Sequence, residues 1–303
     1  MPYISSPLNY TGGKYKLLSS IIPHFPKDIN TFVDLFCGGC NVGVNVNANN
    51  IVFNDKQNVL SGLFSYFLHC DIDDFIKTIH HIINKYGLSS TKDNGYDYYN
   101  CNSSEGLGKY NRDKYLILRQ NFNLSKEDID YYPTLYVLIC YAFNNQIRFN
   151  SKGEYNLPVG KRDFNSQMEK KLKIFINHIQ RLNCQFTSVD FVDFNYNELT
   201  PNDFVYADPP YLITCATYNE RNGWTNNMEL SLYDILNQLH NRGVRFALSN
   251  VLSTKGKQNP ILEQWLSDNP HLICHHLNKS YNNSNYHRNK DFKSDEVLIT
   301  NYI

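Results

Sequence analysis

The chain has 303 residues, of which 42% are hydrophobic and 19% charged, so it can bury one large core, or one core with a smaller lobe. No apolar run is long enough to cross a bilayer, and residues 1–6 lack the basic start and apolar block of an export signal, so we expect a cytoplasmic protein. The chain has 29 lysine and arginine residues and 29 aspartate and glutamate residues, which excludes a uniformly basic nucleic-acid binder. If the chain binds a nucleic acid, its positive charge must be concentrated on one face.

The first motif in chain order is a pair of glycines, Gly12 and Gly13, between an aromatic ring at Tyr10 and a cation at Lys14. Consecutive glycines let a ligand approach the backbone closely, and Lys14 can meet a carboxylate or a phosphate there. Taken alone, however, these residues are more simply interpreted as a plain Gly-Gly turn. A short helix is predicted next, over residues 15–22.

A strand, a glycine loop and a second strand follow, in the order by which doubly wound sheets bind nucleosides. The strands are predicted at residues 31–36 and 51–53, and the loop at 37–40 leads into a helix predicted to begin near Asn41. Asp55, at the end of the second strand, can accept hydrogen bonds from ribose hydroxyls. Because the glycine pattern is not the full dinucleotide fingerprint, it favours a smaller nucleoside such as S-adenosylmethionine over NAD.

The cysteines raise the question of disulfide or metal chemistry. All eight are scattered, and a chain of this size needs no disulfides for stability, so we expect reduced thiols. Cys37 and Cys40 have the spacing of a redox or half-zinc motif, but no second pair at metal spacing exists. We therefore predict no metal site.

The middle of the chain is predicted to be mainly helical. Apolar periodicity predicts helices over residues 59–69, 72–85, 113–123, 133–143 and 167–182, with an irregular excursion over 87–111. Within the polar stretch 144–162, Gly153 separates two short mixed runs and predicts a β-hairpin. Its asparagine, glutamine, arginine and lysine side chains are those that pair with base edges and phosphates. A solvated hairpin without a ligand accounts for the same composition.

A strand predicted at residues 204–207 ends in the sequence Asp208, Pro209, Pro210 and Tyr211. Neither proline can donate a backbone hydrogen bond, so the carbonyls around Asp208 are held in a fixed, outward-facing geometry. Tyr211 adds a flat aromatic face. A carboxylate, preset carbonyl acceptors and a stacking ring suit a planar amine whose hydrogens are held while its nitrogen attacks.

The rest of the chain alternates between strands and helices. The predicted elements are strands at 185–189, 244–248, 271–277 and 296–302, and helices at 228–242 and 260–266. The segment 278–294 carries lysine and arginine side chains that suit phosphate contacts. The chain ends on an antiparallel pair of strands, which is unusual for a doubly wound sheet but consistent with methyltransferases, whose sheets carry one reversed strand.

Together these motifs occur in the order of a known family. On residues 10–14, 33–39, 55, 148–160, 190–191 and 208–211, the chain resembles, essentially end to end, the Dam-type adenine-specific DNA methyltransferases of the α group. The resemblance implies an α/β fold, with a Rossmann-like S-adenosylmethionine-dependent methyltransferase sheet and an inserted, mainly helical DNA target-recognition domain that carries a β-hairpin. The catalytic domain would comprise residues 1–60 and 185–303, and the recognition domain residues 61–184.

The resemblance also implies roles for single residues. Those expected around S-adenosylmethionine, with Asp55 on the ribose and Asp190 near the adenine of the donor, are Tyr10, Lys14, Asp34, Phe36, Asp55, Asp190, Phe191 and Asp208. Those expected at the catalytic centre are Asp208, Pro209, Pro210 and Tyr211. Those expected on DNA are Asn9, Asn144, Gln146, Arg148, Asn150 and Pro158 towards base edges in the major groove, and Lys161 and Arg162 towards the backbone. Asn9 replaces a lysine, and Gln146 an apolar residue, that relatives specific for GATC often have, which leaves the recognised site open.

The expected function is site-specific methylation of the exocyclic amino nitrogen of a flipped-out adenine in double-stranded DNA. The enzyme would act as an orphan or with a cognate restriction endonuclease. An amino-methyltransferase that acts on RNA or on a protein glutamine would share the donor site without needing the polar hairpin. A non-catalytic DNA-binding module is the remaining alternative, against which Asp208 and the donor motifs argue.

Overall fold

The fold of the chain divides into two units. The computed structural model describes residues 2–125, 128–213, 223–277 and 294–303. One unit contains residues 14–61 and 182–303, and the other contains residues 2–13 and 62–181. Residues 2–13 thus pack within the second unit. Within that unit, Asn9 donates a hydrogen bond to the carbonyl of Asn144 at 3.3 Å.

The first unit is built on one sheet of mostly parallel strands. Its strands are β1 (Thr31–Asp34), β2 (Asn50–Asn54), β3 (Cys184–Thr187), β4 (Phe204–Ala207), β5 (Arg245–Thr254), β6 (Lys257–Gln258), β7 (Ile273–His276) and β8 (Asp295–Thr300). Their order is β3-β2-β1-β4-β5-β8-β7, with β6 paired to β5. The first five strands in this order, β3, β2, β1, β4 and β5, are parallel to one another. Strand β8 is antiparallel to both of its neighbours, β5 and β7. The mixed α/β fold expected from the sequence is confirmed.

Helices account for most of the remaining regular secondary structure. In chain order they are α1 (Leu18–Ile21), α2 (Asn58–His69), α3 (Ile72–Tyr86), α4 (Thr91–Asn94), α5 (Gly108–Leu124), α6 (Tyr131–Tyr141), α7 (Ser166–Ile179), α8 (Asn226–Asn241) and α9 (Pro260–Asp268). The helix predicted from Asn41 is wrong, because only a 3-10 turn at Gly43–Asn45 follows the glycine loop. Asparagine, glycine and valine have low helix propensity, which explains why no α-helix forms there.

Apolar side chains cover both faces of the central strands. On one face, Val33 and Val205 belong to a cluster that includes Leu236 of α8. On the other, the rings of Phe32 and Phe204 lie with their centres 5.6 Å apart. Successive strand residues point to opposite faces, so these continuous apolar runs bury β1 and β4 on both sides. Polar side chains are left for the carboxyl ends of the parallel strands, which meet at one edge of the sheet.

The second unit is mainly helical and contains the predicted hairpin. Isolated antiparallel bridges join Ala142 to Val159 and Phe149 to Tyr155, in place of a continuous ladder. Gly153 adopts a positive φ of 71° at the turn, where a glycine is favoured. Over the described residues of both units, no helix is long and apolar enough to span a membrane. The predicted phosphate-contacting residues 278–293 lie outside the described residues.

Candidate active site

Asp208 follows β4, the strand whose four residues are all buried. The Lys14 ammonium lies 2.8 Å from Asp208 Oδ1, and the Tyr211 hydroxyl donates a hydrogen bond to the same oxygen at 3.1 Å. The Lys14 nitrogen also lies 4.8 Å from the centre of the Tyr211 ring. Only 6% of the Lys14 side chain and 16% of the Asp208 side chain are exposed. Three predicted site residues therefore form one largely buried cluster.

Two opposing effects set the protonation of this cluster. Burial raises the pKa of Asp208, while the Lys14 charge and the hydrogen bonds from Lys14 and Tyr211 lower it without cancelling the effect of burial. Burial raises the pKa of Tyr211 well above its ordinary value, so its hydroxyl keeps the proton that it donates. The cluster is thus a carboxylate held in a poorly hydrated place by one cation and one hydroxyl.

Glu296 on β8 is an acid whose pKa is affected by the charges of this cluster, and it was not among the predicted site residues. Burial raises the pKa of Glu296, the charge of Lys14 lowers it, and the charge of Asp208 raises it again. Its position results from the antiparallel pairing of β8 with β5, in which Glu296 lies opposite Val251. The local sequence carries no signal for this, because the pairing joins residues about 45 positions apart along the chain.

Two acids hold the glycine loop between β1 and β2. Asp34 Oδ2 accepts a hydrogen bond from the Gly43 amide at 3.0 Å, and Asp55 Oδ2 accepts one from the Gly38 amide at 3.1 Å. A Cβ atom at Gly43 would overlap the ring of Phe53, so glycine is required there. The loop is consequently fixed close to the strand ends, where a ligand can lie against its backbone.

Asp34, at the end of β1, is the more deeply buried of the two acids that hold the loop, with 1% of its surface exposed. Burial, only partly offset by the Gly43 hydrogen bond and reinforced by the charges of Asp208 and Asp55, raises its pKa from 3.8 to about 8. Its Oδ1 atom is buried and makes no hydrogen bond within the part of the chain that the structure describes. An orphaned buried oxygen beside a glycine loop fits a site that binds a polar ligand.

Three aromatic rings pack together at this edge of the sheet. The ring centres of Phe36, Phe191 and Trp224 lie 5.3 to 5.7 Å from one another. The Tyr196 hydroxyl donates to the Phe191 carbonyl at 2.7 Å, and Asp190 Oδ1 accepts from the backbone two residues further on. Phe36 and Phe191 were predicted to contact the donor, whereas Trp224 was not among the predicted site residues.

The cysteine pair lies in the same loop. Cys37 and Cys40 are buried free thiols, and burial raises the pKa of both. Both thiols are therefore protonated at neutral pH. In residues 2–125, 128–213, 223–277 and 294–303, no group of three or more histidine, cysteine, aspartate or glutamate side chains could hold a metal ion.

In the second unit, the N-terminal segment contacts the start of the hairpin region. Besides the bond between Asn9 and Asn144, the Gln146 amide donates to the Thr11 hydroxyl at 3.4 Å. The Tyr10 carbonyl accepts from the Gly13 amide at 3.1 Å, which closes the predicted glycine turn. Two residues predicted to contact DNA from distant parts of the chain, Asn9 and Gln146, therefore belong to one surface region.

The hairpin side chains predicted to contact bases are held by partners within the hairpin. Arg148 Nε donates to Asn156 Oδ1 at 2.8 Å, and the Asn150 amide donates to Glu154 Oε2 at 2.8 Å. Pro158 is exposed, and its carbonyl accepts from the Phe143 amide. The hairpin thus presents its polar side chains in defined orientations.

The two basic residues that follow the hairpin are exposed. Lys161 Nζ donates to the carbonyl of Ser104 at 3.2 Å, and Arg162 donates to the Tyr96 hydroxyl at 3.1 Å. Both partners lie in the segment between α3 and α5, which was predicted to be irregular and contains the short helix α4. The partners that the described residues offer to these two cations are neutral, so the cations can engage phosphates at little cost.

A protein family and several known proteins match most of this chain. The family described as D12 class N6 adenine-specific DNA methyltransferase matches residues 10–284. Over 306 aligned residues, the chain is 42% identical to the Type II methyltransferase M.FokI of Planomicrobium okeanokoites and 41% identical to the modification methylase StsI of Streptococcus sanguinis. Each alignment covers 99% of this chain but 43% of the relative, so the chain spans less than half of their length.

For a less similar relative, the alignment covers nearly equal shares of the two chains. The DNA adenine methylase of Escherichia coli (strain K12) is 26% identical over 247 residues, which are 80% of this chain and 79% of that protein. The resemblance expected from the sequence motifs is confirmed, and it extends over nearly the whole chain. The chain therefore belongs to the D12 class N6 adenine-specific DNA methyltransferase family.

Proposed function

We propose that this chain transfers a methyl group from S-adenosylmethionine to the exocyclic amino nitrogen of an adenine in double-stranded DNA. The observation that carries the proposal is the cluster of Asp208, Lys14 and Tyr211 at the end of β4. It lies at the strand-end edge of a mostly parallel sheet, which is where doubly wound folds bind their ligands. Membership of the family supports both the substrate and the donor.

The residues of the cluster divide the chemical work between them. The adenine amine is a poor nucleophile because its lone pair is delocalised into the ring. Lys14 and Tyr211 both contact Oδ1 of Asp208, so we assign Oδ2 to accept one amine hydrogen and the Pro209 carbonyl to accept the other. Holding both hydrogens localises the lone pair towards the methyl group, so that the protein contributes positioning and electrostatics.

The target base must leave the duplex to reach this cluster. Extrusion costs a few kcal/mol of stacking and pairing, which contacts in the pocket must offset. The Lys14 ammonium lies over the Tyr211 ring, so we assign the opposite face of the ring to the extruded adenine. A cation on one face and a base on the other would fix the ring between them.

We propose that the donor occupies the neighbouring part of the same edge. S-adenosylmethionine supplies an electrophilic methyl group on its sulfonium when bound. Asp55 would accept from the ribose hydroxyls, and Asp190 would lie near the adenine amine of the donor. The orphaned Oδ1 of Asp34 and the rings of Phe36 and Phe191 support a polar, adenine-containing ligand.

We assign target recognition to the second unit. Its hairpin would read the major groove through the residues that the sequence motifs indicate, which are Asn144, Gln146, Arg148, Asn150 and Pro158, with Asn9 beside them. Lys161 and Arg162 would contact the DNA backbone. Two similar proteins are named a Type II methyltransferase and a modification methylase, which supports a role beside a restriction endonuclease over an orphan role.

Replacement of Asp208 tests the proposal directly. Asp208→Ala should abolish transfer of tritiated methyl groups to duplex DNA while the chain still binds S-adenosylmethionine in equilibrium dialysis. Glu263→Ala, which removes an exposed acid from α9 in the same unit, is the matched control and should keep full activity. Methyl transfer by the Asp208→Ala chain would refute the catalytic assignment.

The substrate class is tested with the unaltered chain. Duplex DNA, single-stranded RNA and a glutamine-containing protein mixture are offered side by side with the tritiated donor. We expect label only in DNA, at N6 of adenine. Label in RNA or protein, with none in DNA, would favour the alternative amino-methyltransferase.

A further inference from the structure

A buried acid in the first turn of α8 has no part in the site described so far. Glu229 has no exposed surface. Its Oε2 accepts a hydrogen bond from the indole nitrogen of Trp224, and its Oε1 accepts from the Tyr233 hydroxyl and, at 2.8 Å, from the Asn250 amide. Three donors from three parts of the chain thus satisfy one carboxyl group.

Core packing alone gives no reason for an acid at this position. A buried carboxyl group must be fully hydrogen-bonded to be tolerated, and apolar residues of similar volume stabilise a core equally well or better. The surroundings are apolar, since Trp224 and Tyr233 belong to the same hydrophobic cluster as Leu232 and Leu236. The Glu229 carboxyl therefore contributes something other than burial.

The hydrogen bond to Trp224 is the contact that leads towards the donor site. An indole has one N–H donor, so a bond to a buried acceptor fixes the rotation of the ring as well as its position. The fixed Trp224 ring contacts Phe36 edge-on at 5.7 Å and Phe191 at 5.3 Å between centres. These two rings are the aromatic residues assigned to the donor.

We propose that Glu229 is a positioning residue of the donor site, which acts through Trp224 to hold Phe36 and Phe191 against the adenine of S-adenosylmethionine. The inference rests on the proposed function, because it assumes that this edge of the sheet binds the donor. It predicts that loss of the Glu229 carboxylate weakens donor binding while the chemical step, which depends on Asp208, continues.

Glu229→Gln is the informative variant because it keeps the shape and replaces one acceptor oxygen by an amide donor. We expect the affinity for S-adenosylhomocysteine, measured by isothermal titration calorimetry, to fall about tenfold, which is the order of the loss of one buried hydrogen bond. The KM for the donor should rise by a similar factor, and kcat at saturation should stay within about twofold.

A fluorescence signal reports on the Trp224 ring itself. The chain has two tryptophans, so Trp265→Phe leaves Trp224 as the single tryptophan, whose emission is selected by excitation at wavelengths that tyrosine does not absorb. In that background, S-adenosylhomocysteine should change the Trp224 emission, and Glu229→Gln should shift the emission of the unliganded chain and reduce the response. A purely structural role of Glu229 would not separate KM from kcat in this way.

Tyr233→Phe is the matched control, since it removes a different hydrogen bond from the same carboxyl group. It should lower stability yet leave the affinity for S-adenosylhomocysteine within about twofold. If Glu229→Gln does not fold, Trp224→Phe replaces it, because this change keeps an aromatic ring but removes the five-membered ring that carries the N–H donor; the affinity should again fall severalfold.

The results separate this inference from the proposed function. If the unaltered chain binds no S-adenosylhomocysteine and transfers no methyl group, the proposed function fails. If it does both, and the folded Glu229→Gln or Trp224→Phe chain keeps the parental affinity, only the positioning role is refuted. Equal losses of affinity in Glu229→Gln and Tyr233→Phe would also refute it, because they would indicate a general structural effect.

Discussion

Asp34→Asn should change how the stability of the first unit depends on pH. The Asp34 carboxyl is buried and has a pKa of about 8, against 3.8 in its ordinary state. Between these two pH values the folded chain holds a proton that the unfolded chain has lost. Stability from this group is therefore complete below about pH 4 and is lost progressively as the pH rises to about 8. Asparagine cannot ionise, but its side-chain carbonyl can still accept from Gly43.

The expected change in the free energy of unfolding follows from the difference of about 4 pKa units between the folded and the unfolded chain. One pKa unit corresponds to about 1.4 kcal/mol, so the free energy of unfolding of the variant, minus that of the parent, should rise by about 1.4 kcal/mol per pH unit over this range. Summed from pH 4 to pH 8, the rise is about 6 kcal/mol, and the difference should be flat outside that range.

Urea unfolding followed by tryptophan fluorescence measures this difference, because both tryptophans belong to the same unit as Asp34. Asp203→Asn is the matched control. Burial raises the pKa of Asp203, but hydrogen bonds, among them those from Thr200 and Asn30, lower it further, so the net pKa is below its ordinary value. Its contribution is lost only on acidification, and the control difference should be flat above about pH 5. If the free energies of unfolding of the parent and of Asp34→Asn change in parallel from pH 5 to pH 8, the reasoning is refuted.

Two further predictions concern catalysis and recognition. Lys14→Met removes the cation that lowers the pKa of Asp208, so the acidic limb of the methylation rate should move to higher pH; an unmoved profile between pH 5 and pH 9 would contradict the role of the ion pair. Arg148→Ala should reduce discrimination at one base pair by roughly 1 to 3 kcal/mol, whereas Lys161→Ala should weaken methylation of all duplex sequences about equally, as measured on a randomised duplex library. Unchanged sequence preference after Arg148→Ala would place base recognition elsewhere.

The sequence by itself determined the elements and most of the strand-end acids. Apolar runs and periodicity were enough to predict β4, α3 and α8 within a few residues, because these elements follow from local patterns of burial. Asp34 and Asp208 could be expected near one another, since parallel strands bring their carboxyl ends to one edge. The helix predicted at Asn41 failed because a glycine and asparagine segment lacks the propensity to continue one.

Only the tertiary structure decided which distant side chains complete the site. Glu229 and Asn250 are 21 positions apart, and their hydrogen bond depends on α8 packing against β5. The pairing of β8 with β5 brings Glu296 into the range of the charges of Lys14 and Asp208, and Asn9 joins Asn144 across 135 positions. Such contacts form when whole strands and helices pack against one another. The residues that then become neighbours are far apart in the sequence, so no local sequence pattern predicts them.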